Sequence, residues 1–167
     1  MRRALITSFL FLSACGKFEA PKDPRTIHGV NPIFVPYINK YLDYKGSPLH
    51  IDIPMQFTDL RGDTVGLCTR WSIGWRQIQI DQAFWEYASE GEKFGLVSHE
   101  FGHCDLNRNH VLTETSYGWP TSIMYPFVFD VNMYNIVGYM RELFNPGTPL
   151  SSQIIETKLD CVEDIVE

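Results

Sequence analysis

The sequence has no basic run. Its 167 residues carry 14 Lys and Arg against 20 Asp and Glu, a net charge of −6. Nucleic-acid binding needs clustered positive charge, so nucleic acid is not an expected partner. No repeat and no second hydrophobic unit is visible. The chain suits one domain with short tails. It does not have a disordered or fibrous composition either, because 44% hydrophobic and 14% aromatic residues supply a real core. Apolar runs of membrane-spanning length are lacking. The run Ala4–Leu12 (ALITSFLFL) is nine residues long, too short for a bilayer. Histidine is scarce, with five in all, yet three fall within the twelve residues HEFGHCDLNRNH, 99–110.

The N-terminus reads as an export signal. Arg2 and Arg3 precede the apolar run, and Ser13, Ala14 and Cys15 follow it. A charged start, a short apolar stretch and small residues before a break make a secretory signal peptide. The end, LSAC, resembles the lipobox of bacterial lipoproteins. That resemblance implies cleavage after residue 14 and a lipid on Cys15, followed by a tether to residue 30 rich in proline and charge. Without Arg2 and Arg3 the 14 basic residues become 12 against 20 acidic ones, net −8. Such a chain would be held by its acyl groups and not by attraction to anionic lipid. Gly16 stands where an Asp retains many lipoproteins in the inner membrane, so the outer membrane is the expected site.

Three cysteines remain: Cys68, Cys104 and Cys161. Export permits disulfides, and three thiols allow at most one internal pair. The expected pair is Cys68–Cys104, which would tie a strand to the motif helix. The alternative is three small buried thiols.

Asn31-Pro32 opens an amphipathic helix marked by Ile33, Tyr37, Ile38, Tyr41 and Leu42, ended by Gly46. Strands are expected at 49–57, 64–68 and 75–81, with a turn at Arg61-Gly62-Asp63 and a short turn at AFWEY. A motif helix covers 92–106. A polar loop (107–121), a tight turn (122–126), a last helix (131–144) and a tail (148–167) follow. The order predicts an α+β domain over 31–147, with a small mixed sheet packed on the motif helix and the C-terminal helix.

His99 and His103 are four apart on a helix, so both rings share one face. Two such imidazoles suit one Zn2+ at about 2 Å from each nitrogen. Glu100 projects to the side and suits a general base rather than a ligand. This is the HExxH arrangement. A catalytic zinc takes three protein ligands, and His110 is the candidate third. Asp105, Glu114 and Glu142 are its rivals.

Here the chain resembles the metzincin metallopeptidases, whose motif is HExxHxxGxxH. It departs from that motif by one residue. Leu106 stands at the glycine position and Asn109 at the histidine position, but Asn107 precedes His110 by the same three residues. Asn tolerates the left-handed conformation. The helix is therefore expected to run one residue longer, with the turn shifted by one. Ser122-Ile123-Met124-Tyr125-Pro126 resembles the metzincin Met-turn. The resemblance implies that Met124 floors the imidazoles and that Tyr125, Pro126 and Phe127 wall a substrate pocket. Pro126 occupies the place of a metal-reaching tyrosine in some metzincins, so no such role carries over. Residues 64–144 fall within the resemblance, which is specific at 99–110 and 122–126.

The implied activity is zinc-dependent hydrolysis of protein or peptide substrates by a monomer, with Glu100 as base. The substrate would lie as an extra strand on a sheet edge within 68–80, near Trp71 or Trp75. Both tryptophans read equally as core or rim aromatics. Two alternatives remain open, a non-catalytic lipoprotein with a structural zinc and a zinc amidase acting on the cell wall. His28 and His50 read as surface or strand histidines, and Arg108 as solvated or salt-bridged.

Overall fold

The computed structural model describes residues 29–49, 51–148 and 150. The expected signal peptide, Cys15, His28, His50, Cys161 and nearly all of the tail lie outside these residues.

The chain enters through a 3-10 turn, Pro32–Phe34, whose Asn31 cap accepts from the Ile33 N–H at 3.2 Å. Helix α1, Val35–Lys45, follows without a break. Pro36 is tolerated because it lies in the first turn, where the N–H has no helical partner. Ile38, Tyr41 and Leu42 form the buried stripe, and Gly46, at φ 70°, closes the helix in the left-handed conformation.

Three strands follow: β1 Met55–Thr58, β2 Gly66–Arg70 and β3 Arg76–Asp81. Their order is β1-β3-β2, with β1 parallel and β2 antiparallel to β3. The sheet is mixed, as expected, but β3 is its centre. The edge expected over 68–80 is thus corrected to β2 alone. Residues 78–80 are paired on both sides and offer no free edge. Strand β1 is also shorter than the alternation of 49–57 implied. In β3 the alternation holds, with Ile78 and Ile80 fully buried between more exposed glutamines.

The AFWEY stretch is helix α2, Gln82–Tyr87, not a turn. Asp81 caps it by accepting from the Phe84 N–H at 2.8 Å. Helix α3, Glu90–Cys104, carries the histidine motif. It starts at a capping box in which Ser89 Oγ accepts from the Glu92 N–H and Glu92 returns to the Ser89 N–H. The expected span of 92–106 is therefore displaced at both ends. Helix α4, Ile136–Phe144, begins later than residue 131.

Helix α3 is the spine of the domain. It packs on β2 and β3 and on α1, which in turn meets α4. Phe94, Leu96, Val97, Phe101 and Cys104 are all buried. Phe101 stacks on Tyr41 with ring centroids 4.8 Å apart. The architecture is α+β, a small sheet on one side of a central helix. Among the described residues no helix is long and apolar enough to cross a membrane.

Candidate metal centre

Helix α3 presents His99 and His103 one turn apart, near its C-terminal end. The backbone then reverses at Asn107, at φ 57°, the one non-glycine residue with positive φ among those described. Its Oδ1 accepts from the Arg70 guanidinium. The reversal brings His110 back over the helix. The left-handed residue expected between helix and third histidine is therefore present, although α3 itself ends at Cys104.

Three Nε2 atoms converge. His99 and His103 are 3.0 Å apart, His103 and His110 3.1 Å, and His99 and His110 3.3 Å. A tetrahedral ion with Zn–N bonds of about 2.0–2.1 Å needs donors about 3.3–3.4 Å apart, so this triangle is close to the required size. The far side of two rings fixes the tautomer. His99 Nδ1 donates to the Ile123 carbonyl at 2.8 Å, and His103 Nδ1 donates to the Arg108 carbonyl at 2.7 Å. Both Nε2 atoms then carry lone pairs and no proton. Facing lone pairs repel each other, and a cation between them turns the repulsion into ligation. Burial pushes His99 down to about 4 and lowers His103 as well, and the neighbouring imidazoles push both the same way. Neutral imidazoles are the form that binds metal.

The other proposed ligands are engaged elsewhere. Asp105 takes the Lys45 ammonium at 2.7 Å and the Tyr41 hydroxyl at 2.9 Å. Glu114 accepts from the Tyr125 hydroxyl. Glu142 pairs with Arg108 at 2.6 Å. Among the described residues, the three histidines are the one cluster of metal-binding type.

Glu100 lies on the β2 side of α3 and is buried. It accepts from the Cys68 backbone N–H, while its Oε2 has no protein partner. Burial raises its carboxyl to about 8, against a smaller lowering by the Cys68 N–H. Cys68 and Cys104 are joined by a disulfide, which ties β2 to the last turn of α3.

Met124 is fully buried under the histidines' helix. A Cβ on Gly102 would lie 2.2 Å from its sulfur, so the absence of a side chain there lets the methionine seat against α3. Residues 122–125 form the expected tight turn, with the Tyr125 N–H donating to the Ser122 carbonyl at 3.1 Å. Tyr125, Pro126 and Phe127 line a cleft of about 410 Å3, together with the three histidines, Glu100 and residues of β2. That volume is within the range of small-ligand and substrate sites. Trp71 and Trp75 pack on each other at the β2–β3 turn, 5.2 Å apart, and both are exposed. They are rim aromatics, and neither lines the cleft.

Sequence reasoning missed three features here. Gly66 faces Glu100, Arg70 lines the cleft, and Arg108, Glu142 and Ser122 form one buried chain of polar contacts. A lone Gly, Arg or Ser carries no spacing signal, so only the fold reveals these. No family profile, curated protein or solved structure matches the chain.

Proposed function

We propose that the chain is a zinc-dependent endopeptidase of metzincin type, with His99, His103 and His110 as metal ligands and Glu100 as general base. One observation carries the reading: three Nε2 atoms meet within 3.3 Å, two of them left proton-free by their Nδ1 bonds, at a cleft that also holds a buried carboxyl group. A zinc ion held there would supply Lewis acidity to a carbonyl oxygen and to water.

The chain's own residues do the rest. Glu100 takes a proton from the attacking water and delivers it to the departing amine. Its raised proton affinity suits a group that must both accept and release. A nearby cation favours the carboxylate, the form needed at the start. Strand β2 is the sheet edge beside the cleft. Its pairing with β3 uses the Val65 carbonyl and the Trp71 N–H. By antiparallel alternation, the backbone groups of Gly66 and Arg70 then face outward, where an extended peptide adds as a further strand. Tyr125 and Phe127 wall the side chain that follows the scissile bond. Export and a lipid on Cys15 complete the reading, supported by the LSAC box.

A Glu100→Gln variant tests it. Metal analysis should show parental zinc content, while hydrolysis of a random peptide mixture falls about 10²–10⁴-fold. Cleavage at the parental rate would remove Glu100 from catalysis. Cuts confined to peptidoglycan, with the peptide mixture intact, would make the protein an amidase instead.

A further inference from the structure

The three imidazoles are backed by a set of polar side chains that none of the rings touches directly. Arg108 follows the Asn107 reversal, and its guanidinium reaches across to the end of α4. Nη2 donates to Glu142 Oε1 at 2.6 Å, and Nη1 donates to the carbonyls of Glu142 at 3.1 Å and Leu143 at 3.0 Å. Those carbonyls belong to the last turn of α4, where no helical N–H is available. The other carboxylate oxygen, Glu142 Oε2, accepts from Ser122 Oγ, and that oxygen in turn accepts from the Met124 N–H at 3.0 Å.

Two of the rings hang on backbone groups tied to this chain of contacts, and the third follows from a neighbour tied to it. The Arg108 carbonyl receives His103 Nδ1. The Ile123 carbonyl, between Ser122 and Met124, receives His99 Nδ1. The Met124 carbonyl receives the N–H of Val111, the residue after His110, at 2.9 Å. One ion pair thus sets the two loops that carry or orient all three rings.

Stability alone does not account for such a pair. Its side chains are only 11% and 8% exposed. Desolvating two charges generally cancels their attraction, so an apolar replacement is often neutral or better. What an ion pair with further hydrogen bonds adds is a single geometry. We propose that Arg108, Glu142 and Ser122 are positioning residues for the metal centre, fixing ring orientation and tautomer through the Arg108, Ile123 and Met124 backbone. The proposal rests on the zinc reading of the three histidines. Related supporting contacts around metal ligands are worth about 10–100-fold in affinity.

The test uses the full chain and two metals, Zn2+ by chelator competition and Co2+ by its visible spectrum. Glu142→Gln and the milder Ser122→Ala should each weaken Zn2+ binding about tenfold or more and alter the Co2+ bands. Glu142→Asp should restore part of both. Lys45→Met is the control: it breaks a comparably buried pair, Lys45–Asp105, that touches none of the three backbone groups. It should lower stability and leave affinity and spectrum unchanged. Parental affinity and bands in folded Ser122→Ala and Glu142→Gln overturn the proposal, as does an equal effect from Lys45→Met. If Glu142→Gln does not fold, Ser122→Ala decides alone. Should the parent bind neither metal, the zinc reading itself fails, a result distinct from all of these.

Discussion

Gly66 illustrates how a single residue sets the chemistry around it. A Cβ at this position would lie 2.4 Å from Glu100 Oε1 and 2.7 Å from Leu96 Cδ1. Both neighbours are buried side-chain ends, and each would have to shift to admit the methyl group. Gly66→Ala should therefore displace the carboxylate and cost about 1–3 kcal/mol of stability through overpacking. A shift of about 1 Å in a catalytic group lowers turnover about 10²-fold. On the proposed zinc-peptidase reading, the expected result is a folded, zinc-binding variant with little activity, read from kcat/KM beside metal content. Parental kcat/KM would mean that β2 does not position the base. Glycine at the start of a strand pattern gives no hint of this role, because the residue it accommodates is 34 positions away in the chain. His99, Glu100 and His103 are the opposite case. Helical periodicity alone puts them side by side, so their relation was legible from spacing.

At the scale of elements, capping governs where helices begin. Asp81 ends β3 and starts α2 in one residue, accepting from the Phe84 N–H at 2.8 Å and the Leu60 N–H at 3.1 Å. These bonds hold its carboxyl below the ordinary 3.8. A carboxyl lowered on folding stabilises the fold at pH above its unfolded value. That contribution is lost as pH falls through the lower, folded value. Asp81→Asn should accordingly be less stable than the parent at neutral pH. The difference should shrink below about pH 4, measured as the separation of urea midpoints across a pH series. A separation that stays constant with pH would show that the charge contributes nothing. Element identity followed the sequence closely for α1, α3 and β3, where burial has a clear period. It failed at AFWEY, where the helix is a single capped segment too short for its periodicity to register.

In the molecule as a whole, the disulfide Cys68–Cys104 closes a loop of 36 residues between the sheet edge and the motif helix. Cross-linking a loop of this size restricts the unfolded chain by roughly 3–4 kcal/mol. Reduction should lower the denaturant midpoint accordingly. On the proposed zinc reading it should also weaken metal binding, because Cys104 adjoins His103 and the Cys68 N–H donates to Glu100. Unfolding curves and zinc titrations with and without reductant, and of the Cys68→Ser/Cys104→Ser variant, check both effects. An unchanged midpoint would show that packing alone seats β2 on α3.

The sequence by itself determined what is local. A four-residue histidine spacing on a helix, an Asn able to turn left-handed before His110, and a tight Ser-Ile-Met-Tyr-Pro turn depend on backbone geometry within a few residues. The tertiary structure decided what is distant. It made β2 rather than β3 the edge, seated Met124 against Gly102, and closed the Arg108–Glu142–Ser122 chain around the three rings. These are contacts between segments far apart in the chain. They form only when the core buries α3 between the sheet and its neighbours, and no periodicity in the sequence encodes which side chains then meet.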